Sequence, residues 1–132
     1  MRSSPTWQVP SPAGWDDLTG SWAGPDALVR RVEAAQRMAG LGADAIWVSN
    51  HGGRQFDAAP PAIDMLPLVR EAVGPDMPLI FDSGIASGTD ILRAFAMGAD
   101  FTFVGRAPHY GLAAFGRRGV AHVLDILRAS LE

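Results

Sequence analysis

From Asp26 onward the apolar positions follow a helical period. Leu28, Val29, Val32, Ala35, Met38 and Ala39 fall on one side, and Arg30, Arg31, Glu33 and Arg37 on the other, the spacing of an amphipathic helix. Pro25-Asp26 supplies a start and Gly40 or Gly42 a stop. The next apolar stretch, Ala45-Ile46-Trp47-Val48, does not alternate, and neither do Leu79-Ile80-Phe81 and Phe101-Thr102-Phe103-Val104. Short unbroken runs of this kind predict parallel strands buried on both faces. Helical spacing returns between them. One segment begins near Pro67 and runs through Leu68, Val69, Ala72 and Val73 to Gly74; the next runs from about Thr89 through Ile91, Leu92, Phe95 and Ala96 to Gly98. A last one carries Val120, Val123, Leu124 and Leu127 toward the C-terminus. The predicted order is α-β-α-β-α-β-α.

Leu41-Gly42-Ala43-Asp44 before the first strand is echoed by Met97-Gly98-Ala99-Asp100 before the last. In both, a glycine ends a helix and the chain turns tightly into a strand. Repetition of such a β/α unit implies an α/β fold with a parallel sheet and right-handed crossovers. The chain has 132 residues, whereas an eight-stranded (β/α) barrel takes about 250. Length alone therefore leaves open a small open sheet or a partial barrel. Residues 1–25, with Pro5, Pro10, Pro12 and Pro25 and three of the four tryptophans, read as an irregular leader with tryptophan anchors; residues 26–132 form the repetitive part.

Composition narrows the chemistry. At 48% hydrophobic and 19% charged residues, the chain has the make-up of a globular core, without the roughly 18 uncharged apolar residues in succession that a membrane helix needs. Its N-terminus has no apolar signal-peptide core, which predicts a cytoplasmic protein. With no cysteine, disulfides, thiol nucleophiles and thiolate metal sites are excluded. A net charge of −3 gives no support to a nucleic-acid surface. All 11 basic residues are arginine, which removes Schiff-base and phosphate-loop lysines.

Ligands of parallel α/β folds meet the loops after the strands, and three such loops carry candidate chemistry. The first, Ser49-Asn50-His51-Gly52-Gly53-Arg54-Gln55-Phe56-Asp57, runs on to Pro60-Pro61 and is long for a βα connection. His51 sits where a base could be held by Asn50 and the local backbone, or where it simply caps a strand. The two glycines let the backbone pass close to a flat ligand, and Arg54 offers a planar fork for a carboxylate. The second loop, Asp82-Ser83-Gly84-Ile85-Ala86-Ser87-Gly88-Thr89-Asp90, has the strand, small-residue and helix-start order that grips phosphate with backbone N–H groups. Asp82 would repel a phosphate and suits sugar-like hydroxyls instead, while Ser87 or Thr89 reads as a helix cap. The third, Gly105-Arg106, admits a phosphate and neutralises it. His109, in a turn marked by Pro108, and His122, in the last helix, read as structural or surface residues. No spacing of His, Asp and Glu makes a metal site.

Val48-Ser49-Asn50-His51-Gly52-Gly53-Arg54-Gln55 with Asp57 resembles the active-site string of the FMN-dependent α-hydroxy-acid oxidases and dehydrogenases, the family of glycolate oxidase, L-lactate dehydrogenase and mandelate dehydrogenase. Asp82-Ser83-Gly84-Ile85, Gly88-Thr89-Asp90, Gly98-Ala99-Asp100 and Gly105-Arg106 resemble the same family's flavin-phosphate region in the same order. Tyr110-Gly111-Leu112-Ala113 resembles its last-helix segment, and Trp15-Asp16-Asp17-Leu18 more weakly a segment before its fifth strand. The resemblance covers roughly residues 40–128. It implies the last three β/α units of a (β/α)₈ barrel, FMN as cofactor, and oxidation of a small L-2-hydroxy acid to the 2-oxo acid. By resemblance, His51 takes a proton from the hydroxy acid, Arg54 holds its carboxylate, and electrons pass to the flavin. Asp82, Ser83 and Gly84 line the flavin's ribityl chain, and Gly105 and Arg106 bind its phosphate. The family's flavin-contacting lysine has no counterpart here, and Ala86 stands where the family carries a phosphate-binding arginine. The alternative is a non-catalytic barrel remnant that binds a phosphate-bearing ligand or a partner chain. Uncovered sheet edges in so short a unit predict association with a second copy or another chain.

Overall fold

The computed structural model describes residues 25–54 and 60–131. The expected leader over 1–25 lies outside them except for Pro25, and Gln55 to Ala59 lie outside as well. Helix α1 (Pro25–Gly40) leads into strand β1 (Ile46–Val48), α2 (Ala62–Val73), β2 (Leu79–Phe81), α3 (Gly88–Ala96), β3 (Phe101–Thr102) and α4 (Arg106–Ala129). The strands are parallel and lie in sequence order β1-β2-β3. Val48, Leu79 and Phe81 share one core with Ala35 of α1, Leu66 and Val69 of α2, and Ala94 of α3. Helices that contribute to a single core on one side of a sequentially ordered parallel sheet make the winding of a barrel rather than a doubly wound sheet. The fold is α/β, a partial barrel.

The apolar strand runs are covered on one face only among the described residues. Leu79 and Phe81 are 0% and 1% exposed beneath the helices, whereas Trp47 and Phe101 are each 56% exposed on the other side. Trp47 and Phe103 nonetheless meet across the sheet with ring centroids 5.0 Å apart. The expectation of burial on both faces is thus corrected. The runs are apolar on both sides, but three short strands cannot curve round to cover their own inner surface.

Two helix boundaries also differ from the pattern. Helix α2 starts at Ala62, so that Pro67 lies inside it rather than in its first turn; the tandem Pro60-Pro61 sets the boundary because the residue before a proline is driven out of the helical region. Pro108, His109 and Tyr110 belong to the first turns of α4, not to a separate turn, a position where a missing N–H costs nothing. The repeated Gly-Ala-Asp device is real in geometry. Gly42 and Gly98 have φ of 87° and 107°, and Ala43 and Ala99 each donate back to a helical carbonyl, Met38 at 3.2 Å and Ala94 at 3.0 Å, as in a left-handed helix C-cap.

Arg70 ties the strand starts together. Its guanidinium donates to the carbonyls of Gly74 (2.8 Å), Met77 (2.7 Å) and Gly98 (2.8 Å) and to the Asp100 carboxylate. Asp100 also accepts from the Leu79 amide at 2.7 Å. That amide, and the Arg70 guanidinium after it, hold the Asp100 carboxyl below its ordinary value of 3.8. A depressed folded-state value stabilises the fold above the ordinary value, and the contribution is lost as the pH falls below it. Asp100→Asn is expected to cost about 1 kcal/mol at neutral pH, because the Leu79 amide loses a charged acceptor although the carboxylate is half exposed. Denaturant midpoints of variant and wild type should converge in acid; an equal gap at both pH values would contradict this assignment.

Candidate active site at the strand ends

The loops after β1, β2 and β3 converge at the carboxyl ends of the strands. His51, Gly52 and Gly53 have φ of 54°, 67° and 79°, three successive left-handed residues of which only His51 carries a side chain. The left-handed region costs an ordinary L-residue about 1–2 kcal/mol, so the turn demands glycine at 52 and 53 and tolerates the imidazole at 51 against its preference. Gly53 donates to the Asn50 carbonyl at 3.0 Å, closing the turn, and His51 and Arg54 are both exposed.

Two serines bind this turn's amides. Ser49 Oγ accepts from the His51 amide at 3.1 Å. Ser83 Oγ, from the β2 loop, accepts from the amides of Asn50 (3.3 Å) and Gly52 (3.1 Å) and donates to Asp82 Oδ1 at 2.7 Å. Ser83 is itself left-handed, with φ of 81°. The third loop closes over the first: Arg106 Nη2 lies 3.7 Å from where a Cβ on Gly52 would stand. Asp82, Ser83, Gly84, Gly52 and Arg106 are thereby brought together, and the His51 turn meets both the β2 and the β3 loops. His109 Nδ1 meets the Gly105 carbonyl at 2.7 Å, which fixes its ring against the start of α4.

Asn50 does not hold His51. Its Oδ1 is buried and has no hydrogen-bond partner among the described residues, and the serine hydroxyls do the holding instead. Asn50 lines a cleft of about 410 Å³ together with Gly52, Gly53, Ser83 and Gly84. A buried carbonyl oxygen without a donor costs on the order of 1–3 kcal/mol, so a ligand N–H or O–H is the natural complement to this one.

The start of α3 is not a phosphate grip. Ser87 and Asp90 form a reciprocal capping box: the amides of Ala86 and Ser87 both donate to Asp90 Oδ2, at 3.2 and 3.0 Å. The Gly88 amide donates to Ser130 Oγ at 2.7 Å. The Ser87 hydroxyl, with the Ala86 amide after it, holds the Asp90 carboxyl below its ordinary range. A helix start whose donors are taken by its own carboxylate repels an anion. The Ser-x-x-Asp spacing announces this box in the sequence. The bridging role of Ser83 has no such signal, since its partners lie more than 30 residues away. Among the described residues, no group of His, Asp and Glu could hold a metal ion, and no helix is long and apolar enough to cross a membrane.

Residues 14–132 match the sequence family described as FMN-dependent dehydrogenase. The chain is 44% identical over 131 residues to pre-mycofactocin synthase of Mycolicibacterium smegmatis, covering 96% of this chain and 33% of the relative. It is 45% identical over 118 residues to an L-lactate dehydrogenase of Bartonella tribocorum, covering 86% of this chain and 31% of that one. Mandelate oxidase with (S)-2-phenylpropionate superposes on 76% of this chain at a TM-score of 0.73 and 45% identity, over 30% of its own length; another structure of that enzyme carries an FMN adduct. The chain spans about a third of the length of the curated relatives it matches.

Proposed function

Because the chain belongs to the FMN-dependent dehydrogenase family, we propose that it supplies the catalytic strand ends of an enzyme that oxidises a small L-2-hydroxy acid to the 2-oxo acid. The observation that carries this reading is the His51–Arg54 turn, held by Ser83 and overlain by Arg106. In that arrangement the imidazole of His51 takes a proton from the substrate, and the planar guanidinium of Arg54 binds the substrate carboxylate through two parallel N–H donors. FMN, when bound, supplies the acceptor for the two electrons. Its chemical parts fit the residues present. Arg106 and the open Gly105, with no atom within 4 Å of a Cβ there, suit a phosphate. Asp82 suits a chain of hydroxyls, and the unpartnered Asn50 Oδ1 suits an N–H or O–H donor. Convergence of base, anion clamp and electron acceptor is what such an oxidation requires.

Relatives of similar identity are named for pre-mycofactocin synthesis and for L-lactate dehydrogenation. A second reading, a non-catalytic remnant that binds a phosphate-bearing ligand or another chain, is favoured by the uncovered Trp47 and Phe101 surface. Association with a second copy or a partner chain is the expected consequence of that surface.

The test is direct. The purified chain is titrated with FMN by fluorescence, then mixed anaerobically with L-lactate, glycolate or L-mandelate while flavin absorbance is followed. Bleaching by one of these acids is the expected result. Uptake of flavin without bleaching would leave only the binding role, and no uptake would overturn the enzymatic reading for the isolated chain.

A further inference from the structure

We propose that Ser83 is a positioning residue for His51, acting through its side-chain hydroxyl. The inference rests on the reading of His51 as the base. A serine hydroxyl has one proton to donate and two lone pairs to accept with. At Ser83 all three are spent, the proton on Asp82 Oδ1 and the lone pairs on the amides of Asn50 and Gly52, and Ser49 Oγ stands 3.5 Å away as a fourth, longer contact. Those amides flank His51 on either side. With the His51 amide itself held by Ser49 Oγ, three consecutive N–H groups are pinned by two hydroxyls, and the intervening residue is kept at φ 54°.

This capacity count has two consequences. The hydroxyl of Ser83 has nothing left for a sugar-like hydroxyl of a cofactor, so within the Asp82-Ser83-Gly84 string that task falls to Asp82. The amides of the turn are likewise unavailable to an oxyanion, and the side chains of His51 and Arg54 carry the chemistry of this loop. Ser83 does this from a left-handed conformation of its own, φ 81°. The strain is stored beside the base, on the residue that orients it.

Ser83→Gly and Ser83→Ala separate the hydroxyl from the strain. Both remove the hydroxyl, but glycine is at ease at φ 81° and alanine is not. Amide hydrogen exchange of the chain, followed by NMR, is expected to quicken by about tenfold at Asn50 and Gly52 in both variants, as befits one lost hydrogen bond each. The Phe103 amide, bonded to the Phe81 carbonyl in the sheet, should be unaffected. Ser83→Cys, with a poor acceptor in the same place, should fall between. Under saturating FMN, anaerobic reduction by the acid that bleaches the wild type should slow by about tenfold in kcat with KM little changed, because a displaced base loses rate rather than binding. Unchanged exchange at Asn50 and Gly52 would overturn the proposal, and so would a change in Ser83→Ala that Ser83→Gly does not share. If instead His51→Gln reduces flavin as fast as wild type, the base reading fails while the exchange result stands. The two failures are therefore distinguishable.

Discussion

Replacing His51 with glycine is expected to abolish acid-dependent flavin reduction and, at the same time, to raise the stability of the chain slightly. The imidazole is the proposed proton acceptor, and loss of a positioned general base costs about 100-fold or more in rate. The opposite sign on stability follows from the backbone. At φ 54° a residue with a Cβ bears about 1–2 kcal/mol that glycine does not. Against this, glycine's freedom in the unfolded chain takes back roughly 0.4–1 kcal/mol. A net gain of about 0.5 kcal/mol remains. His51→Gln is the control: it removes the base, keeps the strain, and should melt with the wild type. Thermal melts and anaerobic flavin bleaching, run on the same preparations, read both signs. A glycine variant that melts lower than wild type would mean that contacts of the imidazole outweigh the strain. A variant that bleaches at the wild-type rate would remove His51 from the chemistry.

Gly119→Ala is expected to be the most damaging single methyl in the described chain. Helix α4 is broken at Phe115 and Gly116, where φ/ψ of −140°/20° and 59°/−142° reverse its direction. Its two halves return on each other at Gly111 and Gly119, both buried. A methyl on Gly119 would fall on the carbonyl of Gly111, and one on Gly111 would come within 2.6 Å of the Gly119 oxygen. The obstacle is backbone on both sides, so no rotamer relieves it, and the cost should sit at or above the upper end for overpacking, about 3 kcal/mol. The damage should travel. The second half of α4 carries Leu127 into burial at 5% exposure and presents Ser130 Oγ to the Gly88 amide. In Gly119→Ala the Gly88 amide should therefore lose its exchange protection along with the drop in denaturation midpoint. Gly40→Ala, where nothing lies within 4 Å and a helix ends, should instead be neutral or gain up to about 0.5 kcal/mol. Equal midpoints for the two variants would refute the hairpin contact.

Much of this chain is legible because its signals are local. The helical period of α1, the unbroken strand runs and the twin Gly-Ala-Asp turns each depend on residues within a few positions of one another. The observed elements occur in the predicted order. The errors arise where local rules compete. Pro67 invited a helix start, but Pro60-Pro61 upstream had already set one, and the helix absorbed the later proline. Asn50 stood beside His51 and suggested support for it, yet that support comes from hydroxyls, one of them brought from another strand end. The small residues around Ser87 suggest a phosphate grip, but the amides of Ala86 and Ser87 are held by Asp90 and that of Gly88 by Ser130.

From the order of residues alone came the α/β repeat, the family resemblance and the three candidate loops after the strands. These depend on periodicity and on short strings that no distant contact can rewrite. Tertiary structure alone decided which sheet face is covered, that Arg70 locks the strand starts, and that Ser83 and Arg106 close on the His51 turn. Each of these joins side chains and carbonyls across two or three β/α units. A hydroxyl with four partners, or an arginine with five, becomes visible only when the parallel sheet has set those loops side by side. The register Val48 to Phe81 and Phe81 to Thr102 is the physical reason: it aligns the strand ends and so brings their loops into contact.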